Sequence, residues 1–166
     1  IIRSTDEVRM RLRGSKAISL VVQLQRLLAQ YPESSGEIVR SKLSWRCRLR
    51  PQSITATYLF EIEYRLGEKP IVYISEGRLA SEQNLHSVPH HYDAVDDDRI
   101  HACLDRYDWN KTMFLADSVV PWAMEWALYY EIWLVTGTWQ ADEAPHRTGA
   151  FKNPGRCNYV LNLASG

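Results

Sequence analysis

With 166 residues, the chain is long enough for one domain with a hydrophobic core and short for two. Lys plus Arg number 20, Asp plus Glu number 20, and 45% of residues are apolar against 24% charged. That balance belongs to a soluble globular protein and gives the chain as a whole no electrostatic pull toward nucleic acid or an anionic membrane.

The chain opens on Ile, so Ile1 to Val8 read as a trimmed or added extension. Arg3, Arg9, Arg11 and Arg13 make the first segment locally basic, but it is short and mixed in sign, as a solvated approach to a helix would be. The first strong element is S-K-A-I-S-L-V-V-Q-L-Q-R-L-L-A-Q-Y-P. Ala17, Leu20, Val21, Leu24, Leu27, Leu28 and Tyr31 recur at three and four residues, the period of an amphipathic helix. Ser15 is the expected N-cap and Pro32 the stop.

Three strands are expected next. Leu43, Trp45, Cys47 and Leu49 alternate with polar residues, which puts Cys47 on a core face. Tyr58, Phe60, Ile62 and Tyr64 alternate in the same way against Glu61, Glu63 and Arg65. Gly67 to Pro70 is a hairpin-sized turn into I-V-Y-I-S. Connections this short make an antiparallel meander of three or four strands. Glu76 to Asp98 shows no regular period and reads as a long loop, of the kind that is functional or mobile. It carries His86, His90 and His91.

A second helix is expected from about Ser118, capped by Asp117 or Ser118, with Pro121 in its first turn and Gly137 at its end. W-A-M-E-W-A-L-Y-Y-E-I-W-L-V-T is apolar on every side and reads as the central buried helix, its tryptophans as core. It holds Glu125 and Glu131 and its apolar run is too short to span a bilayer. From Gln140 onward the chain is polar and no element is assigned. The layout is α+β, with helices packed on one face of an antiparallel sheet.

Chemistry centres on I-H-A-C-L-D-R-Y-D-W, Ile100 to Trp109. The three cysteines, Cys47, Cys103 and Cys157, form no C-x-x-C pair, which argues against a disulfide framework or a zinc ribbon and fits a reducing, cytoplasmic setting. Cys103 follows the long loop rather than a clear strand or helix face. Asp96, Asp97, Asp98, Asp105 and Asp108 surround it in sequence, and negative charge raises a thiol's pKa. It is therefore not laid out as a pre-activated, protease-like thiolate unless His101 or His91 folds onto it. An unactivated thiol suits exchange of an already activated acyl group. Local residue chemistry alone leaves Cys103 open between nucleophile and packing residue. His86, His90, His91 and His101 have no metal-ligand spacing and no cysteine companions, so no metal is expected. The Asp run lacks the Gly and closing Glu of a calcium loop.

P-H-H-Y followed by I-H-A-C-L-D and then Trp109 resembles the active-site segment of ubiquitin-conjugating enzymes. The order of helix, antiparallel meander, cysteine loop and buried helix is similar to that fold. R-L-R-G-S-K-A near the start and Leu115 to Trp139, L-A-D-S-V-V-P-W-A-M-E-W-A-L-Y-Y-E-I-W-L-V-T-G-T-W, resemble a bacterial branch: the conjugating-enzyme-like proteins of cGAS-like antiphage (CBASS) operons. The resemblance implies an N-terminal extension over residues 1–10, a ubiquitin-conjugating-enzyme-like α+β domain over 11–139, and a tail of unassigned structure over 140–166.

It gives Cys103 the role of thioester-forming cysteine, with His90, His91, Tyr92 and His101 as its candidate catalytic neighbours. His90 and Tyr92 match the family's His-x-Tyr positions. The family's oxyanion-stabilising Asn has no counterpart here, and the stretch from His90 to Cys103 is long, as though residues were inserted around Asp93 to Asp98. The oxyanion partner is thus open between His91, His101, Tyr92 and a backbone N–H. The implied partner is the C-terminal tail of a cGAS-like nucleotidyltransferase, and no cofactor is implied. No ATP-binding motif is present, so an activating enzyme or a direct complex has to supply the reactive acyl group. A scaffold of the same fold that binds the tail without chemistry, and a cysteine hydrolase, are the alternatives.

Overall fold

Residues 16–78, 88–92 and 99–140 are described in the computed structural model of the protein. In chain order they form α1 (Leu20–Gln30), β1 (Ser35–Val39), β2 (Lys42–Leu49), β3 (Tyr58–Arg65), β4 (Ile71–Ser75), β5 (His91–Tyr92), β6 (Arg99–Ala102) and α2 (Val119–Thr136).

Helix α1 starts at Leu20 because Ser19, in extended conformation, accepts the Val22 N–H on its hydroxyl; Ser15 lies outside the described residues. The helix ends at Gln30, with Tyr31 as C-cap ahead of Pro32. It lies against β1 and β2. Gly36 of β1 permits the approach: a Cβ there would stand 2.7 Å from Leu24 Cδ1. The buried stripe is narrower than the apolar spacing suggests. Leu27 is buried and Leu20, Leu24 and Tyr31 pack at the core's margin, whereas Val21, Val22 and Leu28 are exposed.

The α+β expectation holds, and the sheet is larger than the sequence suggested. Six strands run in the order β1-β2-β3-β4-β6-β5, each neighbouring pair antiparallel. The three expected strands are β2, β3 and β4. Missed were β1, a mostly exposed edge strand with little alternation, and β5 and β6, which are only two and four residues long. Too few residues alternate in β5 and β6 for a period to show.

The alternation predicted for β2 and β3 is the alternation seen. Leu43, Trp45 and Cys47, then Tyr58, Phe60, Ile62 and Tyr64, face one core with Val72, Ile74, Ile100 and Ala102. The Cys47 thiol is buried there and burial pushes its pKa up. Helix α2 covers the same core with Val119, Val120, Ala123, Trp126, Ala127 and Tyr130.

Gly137 ends α2 in the left-handed conformation, its N–H reaching the Trp133 carbonyl, as expected of a C-terminal glycine. At the other end the Ser118 hydroxyl turns back to the Phe114 carbonyl instead of capping the helix. The helix is also not buried all round. Leu134 and Val135, in its last turn, are exposed.

Two buried polar side chains tie the helices to the rest. Gln23 is 0% exposed; its Nε2 donates to the Met113 carbonyl at 2.8 Å and its Oε1 accepts the Leu115 N–H at 2.9 Å. Glu131 of α2 accepts the Ala56 N–H and the Tyr58 hydroxyl. Burial, followed by that carboxylate, raises the Tyr58 pKa. Each carboxyl or amide sits inside only because its partners are inside with it.

Candidate active site

Strand β6 delivers Cys103. Ile100 and Ala102 face the core and Arg99 and His101 face outward, so a period of two puts residue 103 on the His101 side as the strand ends. Cys103 is buried, 5% exposed. Its sulfur is disulfide-bonded. The sequence reading expected thiols throughout; among the described residues that holds for Cys47.

The backbone at Cys103 is fixed by the segment that reads P-H-H-Y. His90 adopts φ of 54°, a left-handed conformation that His tolerates better than most residues. The turn aims its carbonyl at two donors: the Cys103 N–H at 2.8 Å and the Trp126 indole Nε1–H at 2.8 Å. The His90 ring packs on Trp139, 5.1 Å between centroids. His91 and Tyr92 then pair with Ala102 and His101 as β5.

The candidate residues therefore divide. His91 is buried, and its Nδ1 lies 2.5 Å from the Val88 carbonyl. Since a carbonyl only accepts, Nδ1 carries the proton and donates it there. The Cys103 N–H is directed at His90. His101 and Tyr92 instead stand side by side on the outer face, ring centroids 4.5 Å apart, with Tyr73 on the other flank of His101 at 5.1 Å. Arg99 sits over Tyr73 and pairs with Glu61 at 3.6 Å. His86 and Asp93 to Asp98 lie outside the described residues.

His101 and Tyr92 line a groove of about 610 Å³ with Leu104, Asp105, Trp109 and Trp122. Ala102, the residue before Cys103 in the chain, also lines it. Of the aspartates that surround Cys103 in sequence, Asp105 is paired with Lys69 at 3.3 Å. The far wall is braced by Tyr107, which stacks flat on Trp122 and donates its hydroxyl to Glu125, as Tyr129 does. Burial and that carboxylate raise the Tyr107 pKa.

Burial, then the Arg99 charge, lowers the His101 pKa from 6.5 to about 4, with Asp105 opposing. The folded protein therefore leaves His101 unprotonated where the unfolded chain would protonate it, and stability rises with pH between those values. The contribution is complete above about pH 6.5 and drains as pH falls toward 4. Thermal melts should show a smaller loss of Tm between pH 7 and 4.5 in His101→Gln than in the parent; superimposable pH slopes would refute this.

Trp126 and Glu125 are the site residues that sequence reasoning missed. Trp126 was read as core, which it is. The available signal was that a buried indole needs an acceptor, though not which one. Among the described residues no group of three or more His, Cys, Asp or Glu side chains gathers as a metal site, and no helix is long and apolar enough to cross a membrane.

An antiparallel sheet with α+β layering, and a cysteine at the end of a short strand beside a groove, is compatible with an E2-like, ubiquitin-conjugating-enzyme-like fold. The family described as Type II CBASS E2 protein matches residues 23–147. The chain belongs to that family. No curated protein matches the sequence.

Proposed function

We propose that the protein is a thioester-forming acyl carrier and transferase acting through Cys103 in the cytoplasm. The observation that carries this reading is a groove lined by Ala102 and Leu104, the chain neighbours on either side of Cys103. Membership of the CBASS E2 family supports it. The acyl donor is the C-terminal glycyl carboxyl of a protein partner, for which the cGAS-like nucleotidyltransferase of the same antiphage system is the candidate. An activating enzyme, or the complex itself, delivers that carboxyl in activated form.

The chemistry has two stages. A dithiol reductant first supplies two electrons and two protons to the Cys103 disulfide, forming two thiols. The Cys103 thiolate then attacks the activated carbonyl, the C–S bond forms, and the activating group leaves with the electron pair. Attack by an amine on the resulting thioester gives an amide and returns the thiol.

Intact-mass spectrometry of the protein co-expressed with its nucleotidyltransferase tests this. The expected species has the summed mass less one water and is released by hydroxylamine. Its absence from fully reduced protein would sink the proposal.

The burial of Cys103 favours one competing reading, a scaffold that holds the partner's tail without chemistry. On that reading Cys103→Ala binds and regulates the partner as the parent does.

A further inference from the structure

Attack on an acyl carbonyl places negative charge on its oxygen, and a site that accelerates the step aims an N–H or O–H at that oxygen. We propose that the imidazole N–H of His101 is the donor that stabilises the oxyanion formed on Cys103, an assignment that rests on the acyl-transfer reading above.

Geometry carries the choice. His101 and Cys103 are two residues apart on the line of β6, about 7 Å between Cα atoms. A thioester carbonyl on Sγ that turned its oxygen toward the ring would span a gap of that size. Three other donors near Cys103, among the described residues, are committed elsewhere. The Cys103 N–H goes to the His90 carbonyl, the Trp126 indole goes to the same carbonyl, and the His91 Nδ1–H goes to Val88. His101 lines the groove itself, held in orientation between the Tyr73 and Tyr92 rings. Tyr92 lies one strand farther out, on β5, with His101 between it and β4.

The lowered pKa of His101 agrees with this role. A neutral imidazole keeps one N–H to donate at pH 7 and is a poor base, so it serves the carbonyl oxygen rather than the thiol.

The test uses the full chain reduced with a phosphine, which leaves thioesters intact, and a synthetic peptide ending in a glycine mercaptoethanesulfonate thioester. Transfer to Cys103 is followed by mass, and Cys103 alkylation by iodoacetamide is measured in parallel. Thermal melts verify that each variant is folded. His101→Phe is expected to slow acyl transfer about 10²-fold while changing the alkylation rate less than about 3-fold. His101→Gln, which restores a neutral N–H donor, recovers most of the loss, and Tyr92→Phe loses less than His101→Phe.

Three results would overturn the assignment: parental transfer rates in His101→Phe, failure of Gln to rescue, or an equal loss in Tyr92→Phe. If the parent itself forms no adduct, the acyl-transfer reading falls and the His101 role falls with it; an active parent beside an unaffected His101→Phe removes the His101 role alone.

Discussion

Cys103→Ala should abolish the hydroxylamine-sensitive adduct outright, and Cys103→Ser should slow acyl capture by about 10³-fold or more, because a serine hydroxyl without an adjacent base is a far weaker nucleophile than a thiol. Whatever the serine variant captures is an oxygen ester, which survives mild hydroxylamine and yields to alkali. The parent should show a second dependence that neither variant shares. Cys103 is disulfide-bonded and Cys47 is buried in the core, so iodoacetamide added without reductant should label neither. A phosphine should open Cys103 to labelling and to acyl capture together. Labelling of Cys103 at full rate before reduction, or an unchanged adduct in Cys103→Ala, would contradict the chemistry assigned to this residue.

Gln23→Leu should be the most destabilising of the single changes considered, by about 2–6 kcal/mol, since it orphans two backbone groups, one buried and one part-buried, at about 1–3 kcal/mol each. The groups are the Met113 carbonyl and the Leu115 N–H, ninety and ninety-two residues along the chain from Gln23. They belong to the segment between the cysteine loop and α2, so the loss should also loosen the wall that carries Trp109. Urea unfolding measures it as a lower midpoint at nearly constant m. A change below about 0.5 kcal/mol, the scale of an ordinary surface substitution, would show that the clamp is not made.

Both predictions depend on arrangements of unequal legibility in the sequence. The alternation Leu43, Trp45, Cys47 and Tyr58, Phe60, Ile62, Tyr64 was enough to place β2, β3 and Cys47, because a sheet with one buried face writes its period directly into the residues. Gly137 marked the end of α2 for an equally local reason. The thioester role of Cys103 rested on resemblance, and the match over residues 23–147 shows the family.

What the sequence determined by itself is what local periodicity, turn chemistry and motif content carry: an α+β layout, a core face for two strands, and a family. What only the tertiary structure decided is which group meets which across long separations. Gln23 has its partners far along the chain, and only the fold brings Met113 and Leu115 beside it. Trp126 looked like packing alone until the His90 carbonyl arrived at its indole. His91 and His101, neighbours in the candidate set, were parted by strand pairing: the register His91↔Ala102 and Tyr92↔His101 turns one inward to a backbone carbonyl and the other outward to the groove. Hydrogen-bond partners are chosen by register and by the crossing of elements, and neither quantity is a property of any short stretch of chain.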